Sequence, residues 1–262
     1  MPSIPAMHIS PAEPIQLPPP FTSVRLRESG DAFTHACRIA SVSGAGTLVY
    51  VGRFDLAEFA VVLEPAEPLR RARRVFYAGM VALTDALRAY APPNKTVAID
   101  WPGSVRIDGG LVGGGRLGWP VSTEEDAQPA WLVFGAMIRT VAMTDDKEAG
   151  VYPLTSALDQ EGFGEAGAVQ VTESFARHLM LAIDAWQADT RQVDTSKVDG
   201  FECIAREYLS RTSRQPQTVQ RIDGHGDLLT RYIGTERTER SELAGALVTP
   251  SWFDPARGGP RL

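Results

Sequence analysis

Apolar positions along the chain recur with two periods and also gather into short unbroken runs, and each pattern predicts a kind of element. From Leu69 to Tyr90 they fall at 72, 76, 80, 83, 87 and 90, spacings of three and four that predict one amphipathic helix. Ser174 to Gln187 follows the same rule through Phe175, Leu179, Ala182, Ile183 and Trp186, with Thr172 or Ser174 able to cap it. Asp199 to Arg211 does so through Phe201, Ile204, Ala205, Tyr208 and Leu209. Asp31 to Ile39 reads as a shorter helix capped by Asp31. Strands are expected at Val24–Ser29, at Phe59–Leu63 before Glu64-Pro65, and along the apolar run Trp131–Met143, which reads as a central strand. Ser122 to Pro129 between them is a polar loop. Thr218 to Tyr232 reads as strand, glycine-rich turn, strand.

The densest signals lie in residues 97–119. Val97 to Ile99 is a short buried strand, broken at Asp100-Trp101-Pro102-Gly103, where Pro102 lacks an amide hydrogen and Gly103 can take positive φ. Val105 and Ile107 alternate with Ser104 and Arg106, as in a half-buried strand. Asp108-Gly109-Gly110 signals a tight turn before Leu111-Val112. Gly113, Gly114 and Gly115 follow, inside a strand pattern that continues at Leu117. Successive glycines there lose backbone entropy and pack nothing, so something must approach closely. Two readings compete: a bulge or corner bend, and a floor on which a small ligand lies.

Composition narrows the classes. A net charge of −6 excludes general affinity for nucleic acid or anionic membrane. With 262 residues and 44% hydrophobic content the chain builds one large domain, or one with a small appendage. It contains no run of 18 apolar residues and no basic-then-apolar leader pattern, and Cys37 and Cys203 are too few for a disulfide framework, so a cytoplasmic setting is the default. Cys203, with no histidine or helix start nearby in sequence, reads as a small core hydrophobe. Seven prolines mark residues 1–20 as an extended lead, too short for a DNA-binding domain. The Pro/Gly-rich tail from Trp252 to Leu262 reads as an arm or a frayed end. His225, in the turn Asp223-Gly224-His225-Gly226, serves the turn or, less simply, a metal. Arg70, Arg71, Arg73 and Arg74 at the front of a helix oppose its dipole, and offer either a solvated face or a patch for an acidic partner.

The central stretch resembles the signature of the biotin and lipoate protein ligase family, Lys-Trp-Pro-Asn-Asp, a strand, Asp-Gly, then Lys-Val-Gly-Gly. Trp101, Pro102, Asp108, Gly109, Val112, Gly113 and Gly114 match, whereas Asp100 and Leu111 stand at the two lysines and Gly103 at the asparagine. Gly135, Met137 and Arg139 occupy the positions of a family Gly-x-Gly-x-Asn strand, and Thr155-Ser156 those of a Thr-Ser pair. Gly44, Gly46, Gly52 and Arg53 retain part of a loop that in the family closes over an acyl-adenylate. The order of elements matches over residues 22–235.

What the resemblance implies is an α+β fold, a mixed sheet with helices packed on one face, ending in a small β-barrel-like module. The boundaries are a lead at 1–20, the ligase-like domain at 21–212, and the module with its tail at 213–262. Family chemistry joins a small carboxylic acid to ATP with Mg²⁺, then passes the acyl group to a lysine of an acidic carrier domain. Biotin, lipoate or octanoate are the ligands implied, and a dimer is one oligomeric state open to it. Asp100 inverts a charge: at ~4 Å and an effective dielectric of ~20, a contact of about 4 kcal/mol changes sign. The expectation is that positive charge has moved to Arg116 and Arg139, with Asp100 orienting one of them or Mg²⁺. An arginine inside an apolar run such as Arg139 is costly unless paired or bound to ligand. The ligand floor then comprises Gly113, Gly114, Gly115 and Gly135, with Trp101 and Pro102 beside it and Gly44, Gly46 and Arg53 above. Three functions remain open: a ligase or acyltransferase, a non-catalytic relative that binds the acid or a carrier, and a structural subunit using the Arg70–Arg74 face.

Overall fold

The computed structural model describes residues 15–143, 154–164, 166–192, 200–213 and 215–261. Most of the proline-rich lead, residues 1–14, lies outside them, as does Asp199. Seven strands form one mixed sheet: β1 (Thr22–Leu26), β2 (Thr47–Val51), β3 (Leu56–Leu63), β4 (Val97–Asp100), β5 (Ser104–Ile107), β6 (Gly110–Gly118) and β7 (Leu132–Arg139). Their order is β1-β2-β3-β7-β6-β5-β4. β1 runs parallel to β2 and every other pair is antiparallel.

Helices cover both faces of the sheet, not one as expected. α3 (Val75–Arg88) and α4 (Ala168–Gln192) pack on the inner face, where Phe134 stacks on Phe175 at 5.5 Å and Phe59 lies 4.5 Å from the same ring. α5 (Phe201–Ser210) lies behind them, its Tyr208 edge-on to Tyr77 of α3. α1 (Ala32–Ser43) covers the outer face, with Ala32, Ala36 and Ala40 on Val49, Ala60, Val62 and Val133. A helix of small residues on that side lets the chain lie close to the sheet.

The predicted helix from Leu69 to Tyr90 is two pieces, α2 (Leu69–Ala72) and α3. Between them Arg73 and Arg74 take ψ near −20°, and Tyr77 bonds back three residues to Arg74, a 3₁₀-like tightening. The kinked turn points both arginines inward. Arg73 is ion-paired with Glu125 and lies over Trp119; Arg74, 1% exposed, pairs with Glu67 at 2.9 Å and lies 4.6 Å over Phe201. Arg70 and Arg71 pair with Asp126 and Glu67. Arg73 and Arg74 thus serve the protein's own loops, whereas Arg70 and Arg71 stay on a solvated face with side chains 49% and 42% exposed. α4 also starts earlier than predicted. Thr172 and Ser174 are buried in it, bonding to the Ala168 and Ala86 carbonyls, and do not cap it.

The C-terminal module is a three-stranded antiparallel sheet, β8 (Thr218–Ile222), β9 (Leu228–Tyr232) and β10 (Thr238–Ser241), followed by α6 (Leu243–Val248) and the two-residue pair β11 (Phe253–Asp254) and β12 (Gly259–Pro260). Asp223 accepts from the His225 and Asp227 amides, so the turn uses its aspartate as a local acceptor and leaves His225 exposed. The module docks through the Tyr77 hydroxyl, which donates to the Gly226 carbonyl at 2.6 Å. The tail is no frayed arm: Trp252 is 1% exposed and lies against the main sheet.

Candidate ligand site

Asp108 and Gly109 take φ of 47° and 91°, the paired left-handed turn that the Asp-Gly signal predicts. It sends β6 back along β5, with a register shift between Val105 and Arg106. Gly113 absorbs that shift at φ 153°. Beyond it the strand alternates again, and the glycines face different ways. A Cβ on Gly115 would strike Met80 and Phe134 in the core, whereas one on Gly114 would strike the Trp252 indole. Gly135 and Gly118 admit the Phe33 ring of α1. The glycines therefore let other parts of the same chain approach closely, Gly113 at a bulge and Gly114, Gly115 and Gly135 against packed side chains.

The outer face of this floor holds a line of charges. The Arg116 side chain is 11% exposed, sandwiched between Phe33 at 4.1 Å and Phe253 at 4.8 Å, and paired with Asp31 at 3.1 Å. Asp31 also caps α1 as predicted, accepting from the Thr34 amide at 2.9 Å. Glu58 of β3 is 4% exposed and accepts from the Ala32 amide at 2.9 Å. Burial pushes its carboxyl above the ordinary value; the Ala32 amide draws it down and the Asp31 charge raises it again. Folded Glu58 thus holds its proton to higher pH than the unfolded chain does. Its stabilising contribution is complete below about 4.5, the unfolded value, and is lost as pH rises through the folded value. Glu58→Gln is expected to flatten this part of the stability curve. Urea midpoints of both proteins between about pH 4 and 7 check it; parallel curves would show that Glu58 does not titrate in this way.

Arg139, at the end of β7, is placed differently from Arg116. Its guanidinium donates to the Pro260 carbonyl at 2.9 Å and to the Arg261 carbonyl, and reaches the Leu111 carbonyl at 3.5 Å. Leu111 is the position of the second family lysine, and its own side chain is buried with Leu56, Met137 and Trp252. Among the described residues no carboxylate pairs with Arg139; burial and the nearby Arg257 both press its pKa down. The bland pairing with a core carboxylate is therefore not what the structure has.

Asp100 orients neither Arg116 nor Arg139. It is ion-paired with Arg106 and accepts from the Ser213 hydroxyl at 2.9 Å. The hairpin explains this: Asp100 and Arg106 flank a tight turn at an even spacing and share one face. Trp101 and Pro102 are built into the junction with the helices, Trp101 donating to the Tyr77 hydroxyl and Pro102 accepting from that of Tyr208. Gly44 ends α1 at φ 77° and Gly46 turns into β2 against Pro20; both lie at the opposite end of the sheet from Arg139. Arg53 stands at the Arg139 end, locked to Asp55 at 2.6 Å. Near it, Arg25, Arg27, Glu28 and Gly52 line a surface hollow of about 590 Å³. Sequence reasoning missed Phe33, Glu58, Arg106 and Trp252. The even spacing of Asp100 and Arg106, and a tryptophan inside a Pro/Gly-rich tail, were the available signals. Cys37, beside this cluster, has its thiol pushed up to about 11 by burial, and Cys203 is half-buried on α5 rather than enclosed in the core.

Comparison with known proteins agrees with this fold. The model of the Biotin/lipoate A/B protein ligase family matches residues 17–209. A biotin–[acetyl-CoA-carboxylase] ligase of Paracoccus denitrificans is 28% identical over 159 residues, and the chain spans 61% of that relative's length. The crystal structure of a biotin protein ligase-like protein of unknown function from Silicibacter superposes with a TM-score of 0.73 and 28% identity, over 90% of this chain and 100% of that one. The biotin protein ligase of Aquifex aeolicus, solved with biotin and ATP, superposes with a TM-score of 0.56 at 12% identity, over 84% and 98%, a likeness of fold. The chain belongs to the Biotin/lipoate A/B protein ligase family.

Proposed function

We propose that this protein binds a small carboxylic acid of the biotin or lipoate class, or the acyl-adenylate made from one, at the Arg139 end of the glycine floor, as a binding relative of the ligases. One observation carries the reading: the Arg139 guanidinium lies at the Leu111 backbone, where the family pattern has a lysine, and has only carbonyl acceptors among the described residues. A carboxylate or phosphate oxygen suits it better than a carbonyl, because charge-assisted hydrogen bonds are roughly twice as strong. Arg116 acts as a strut, holding α1 to the floor through Asp31.

The residues fit ATP less well. At position 100 the carboxylate of Asp100 repels a triphosphate, and its partner Arg106 is already engaged by it. Among the described residues no group of three or more His, Cys, Asp or Glu is placed to hold Mg²⁺. Adenylation and transfer to a carrier-domain lysine form the alternative reading. Thermal shift and calorimetry with biotin, lipoate, octanoate and their adenylates test the binding. Arg139→Ala is expected to weaken binding roughly 10- to 100-fold, the loss of a hydrogen bond to a charged group. ATP–pyrophosphate exchange with the same acids is expected at background. Exchange above background would make the protein an enzyme, and unchanged binding by Arg139→Ala would remove the carboxylate site from Arg139.

A further inference from the structure

The floor is not bare. Residues Pro250 to Arg261 cross it, and the ties are specific. The Trp252 indole N–H donates to the Gly115 carbonyl at 2.9 Å, and the ring lies where a Cβ on Gly114 would be. The Ser251 and Ser104 hydroxyls are 3.1 Å apart. Phe253 covers Arg116, and the carbonyls of Pro260 and Arg261 take the Arg139 donors. The Arg261 amide bonds back to the Trp252 carbonyl at 2.8 Å, closing the segment on itself. Between Pro102, Gly103, Gly115 and the segment there is no room for a water molecule.

We infer that Pro250–Arg261 is a strap occupying the ligand face of its own protein, and that ligand and strap exclude one another there. The strap shares the glycine floor and the Arg139 donors with the proposed acid site, so the two cannot be bound together. Its construction is that of a removable element. Trp252 sits in a small apolar cluster with Leu56, Leu111 and Met137, separate from the main core. Its regular structure is a single two-residue strand pair. Segments with so few ladder bonds open far below the global unfolding free energy. The role of the strap as a competitor rests on the carboxylic-acid reading above; its opening does not.

The test uses the full chain. Ser104→Cys/Ser251→Cys places two thiols where the hydroxyls meet, close enough for a disulfide that locks the strap when oxidised. Native-state amide exchange comes first and needs no ligand. The Phe253 and Arg261 amides of the wild type are expected to exchange at least about 100-fold faster than those of Val61 and Phe134, and locking should slow them. Strap amides that exchange only with the core would overturn the inference. Octanoate, lipoate and biotin, each with its adenylate, are then added to the reduced and oxidised forms and to Trp252→Ala. The ligand-induced thermal shift should vanish on oxidation, and Trp252→Ala should bind about 10-fold more tightly, as expected when a competing closed state is removed. Equal shifts in the oxidised and reduced forms also overturn it. If the strap opens and locks as described while no acid binds any form, the acid reading fails and the strap stands.

Discussion

Gly113→Ala is expected to destabilise the protein by more than about 3 kcal/mol, beyond the usual range of a single substitution. Two effects combine. At φ 153° an L side chain is strained, and the added methyl would sit 1.9 Å from the Met137 carbonyl oxygen. That oxygen belongs to β7, whose ladder runs from Leu56↔Arg139 to Leu63↔Leu132 on its other side, so it cannot yield without moving the centre of the sheet. Gly109→Ala is the control. It too has positive φ, 91°, yet nothing lies within 4 Å of its added methyl. It should lose only the left-handed strain, about 1–2 kcal/mol. Urea unfolding of the two variants decides between them, and equal losses would show that β7 does yield at Gly113.

The second large effect is expected at Arg74. Its guanidinium bonds Glu67, donates to the Arg71 and Gly224 carbonyls, and lies over Phe201. Arg74→Ala removes a buried guanidinium from its pair with Glu67, itself 35% exposed, together with the packing of a long stem, a loss of about 1.5–3 kcal/mol. Arg74→Lys should recover less than half, because an ammonium lacks the planar fork that reaches three acceptors and stacks on a ring. Since Gly224 and Tyr77's partner Gly226 lie in one turn, the alanine variant should also speed amide exchange in β8 and β9. Unaltered exchange there, or full rescue by lysine, would place the role of Arg74 elsewhere.

The strands β4 to β6 were legible because their boundaries are written in residues with fixed backbone preferences, Pro102-Gly103, Asp108-Gly109 and the glycines, whereas β7 ends at Arg139, four residues before the apolar run does. The α1 cap was legible for the same reason, since Asp31 acts on its own helix. The break at Arg73–Arg74 was not. Arginine is a good helix former, and the turn tightens only because Glu67, Glu125 and the rings of Trp119 and Phe201 draw both side chains inward. These are tertiary partners invisible to a local pattern. The glycine floor was likewise visible as a place of close approach, while its occupant was not: nothing near residue 114 in sequence points to Trp252. Gly44 and Gly46 show the converse. They resemble part of a family loop over an acyl-adenylate, yet a helix end and a turn use the same residue for the same conformational reason.

Among the described residues, every hydrogen bond from the tail to the sheet ends on a carbonyl or a hydroxyl: Gly115, Ser104, and the backbone oxygens offered to Arg139. None of these acceptors titrates between about pH 3 and 10. Acidity in that range therefore leaves those hydrogen bonds unaltered, since it does not neutralise a dipole. Only a molecule bringing a full negative charge offers Arg139 more than it already has. A cover fastened in this way responds to the chemical identity of what arrives, and not to the acidity of the medium in which it arrives.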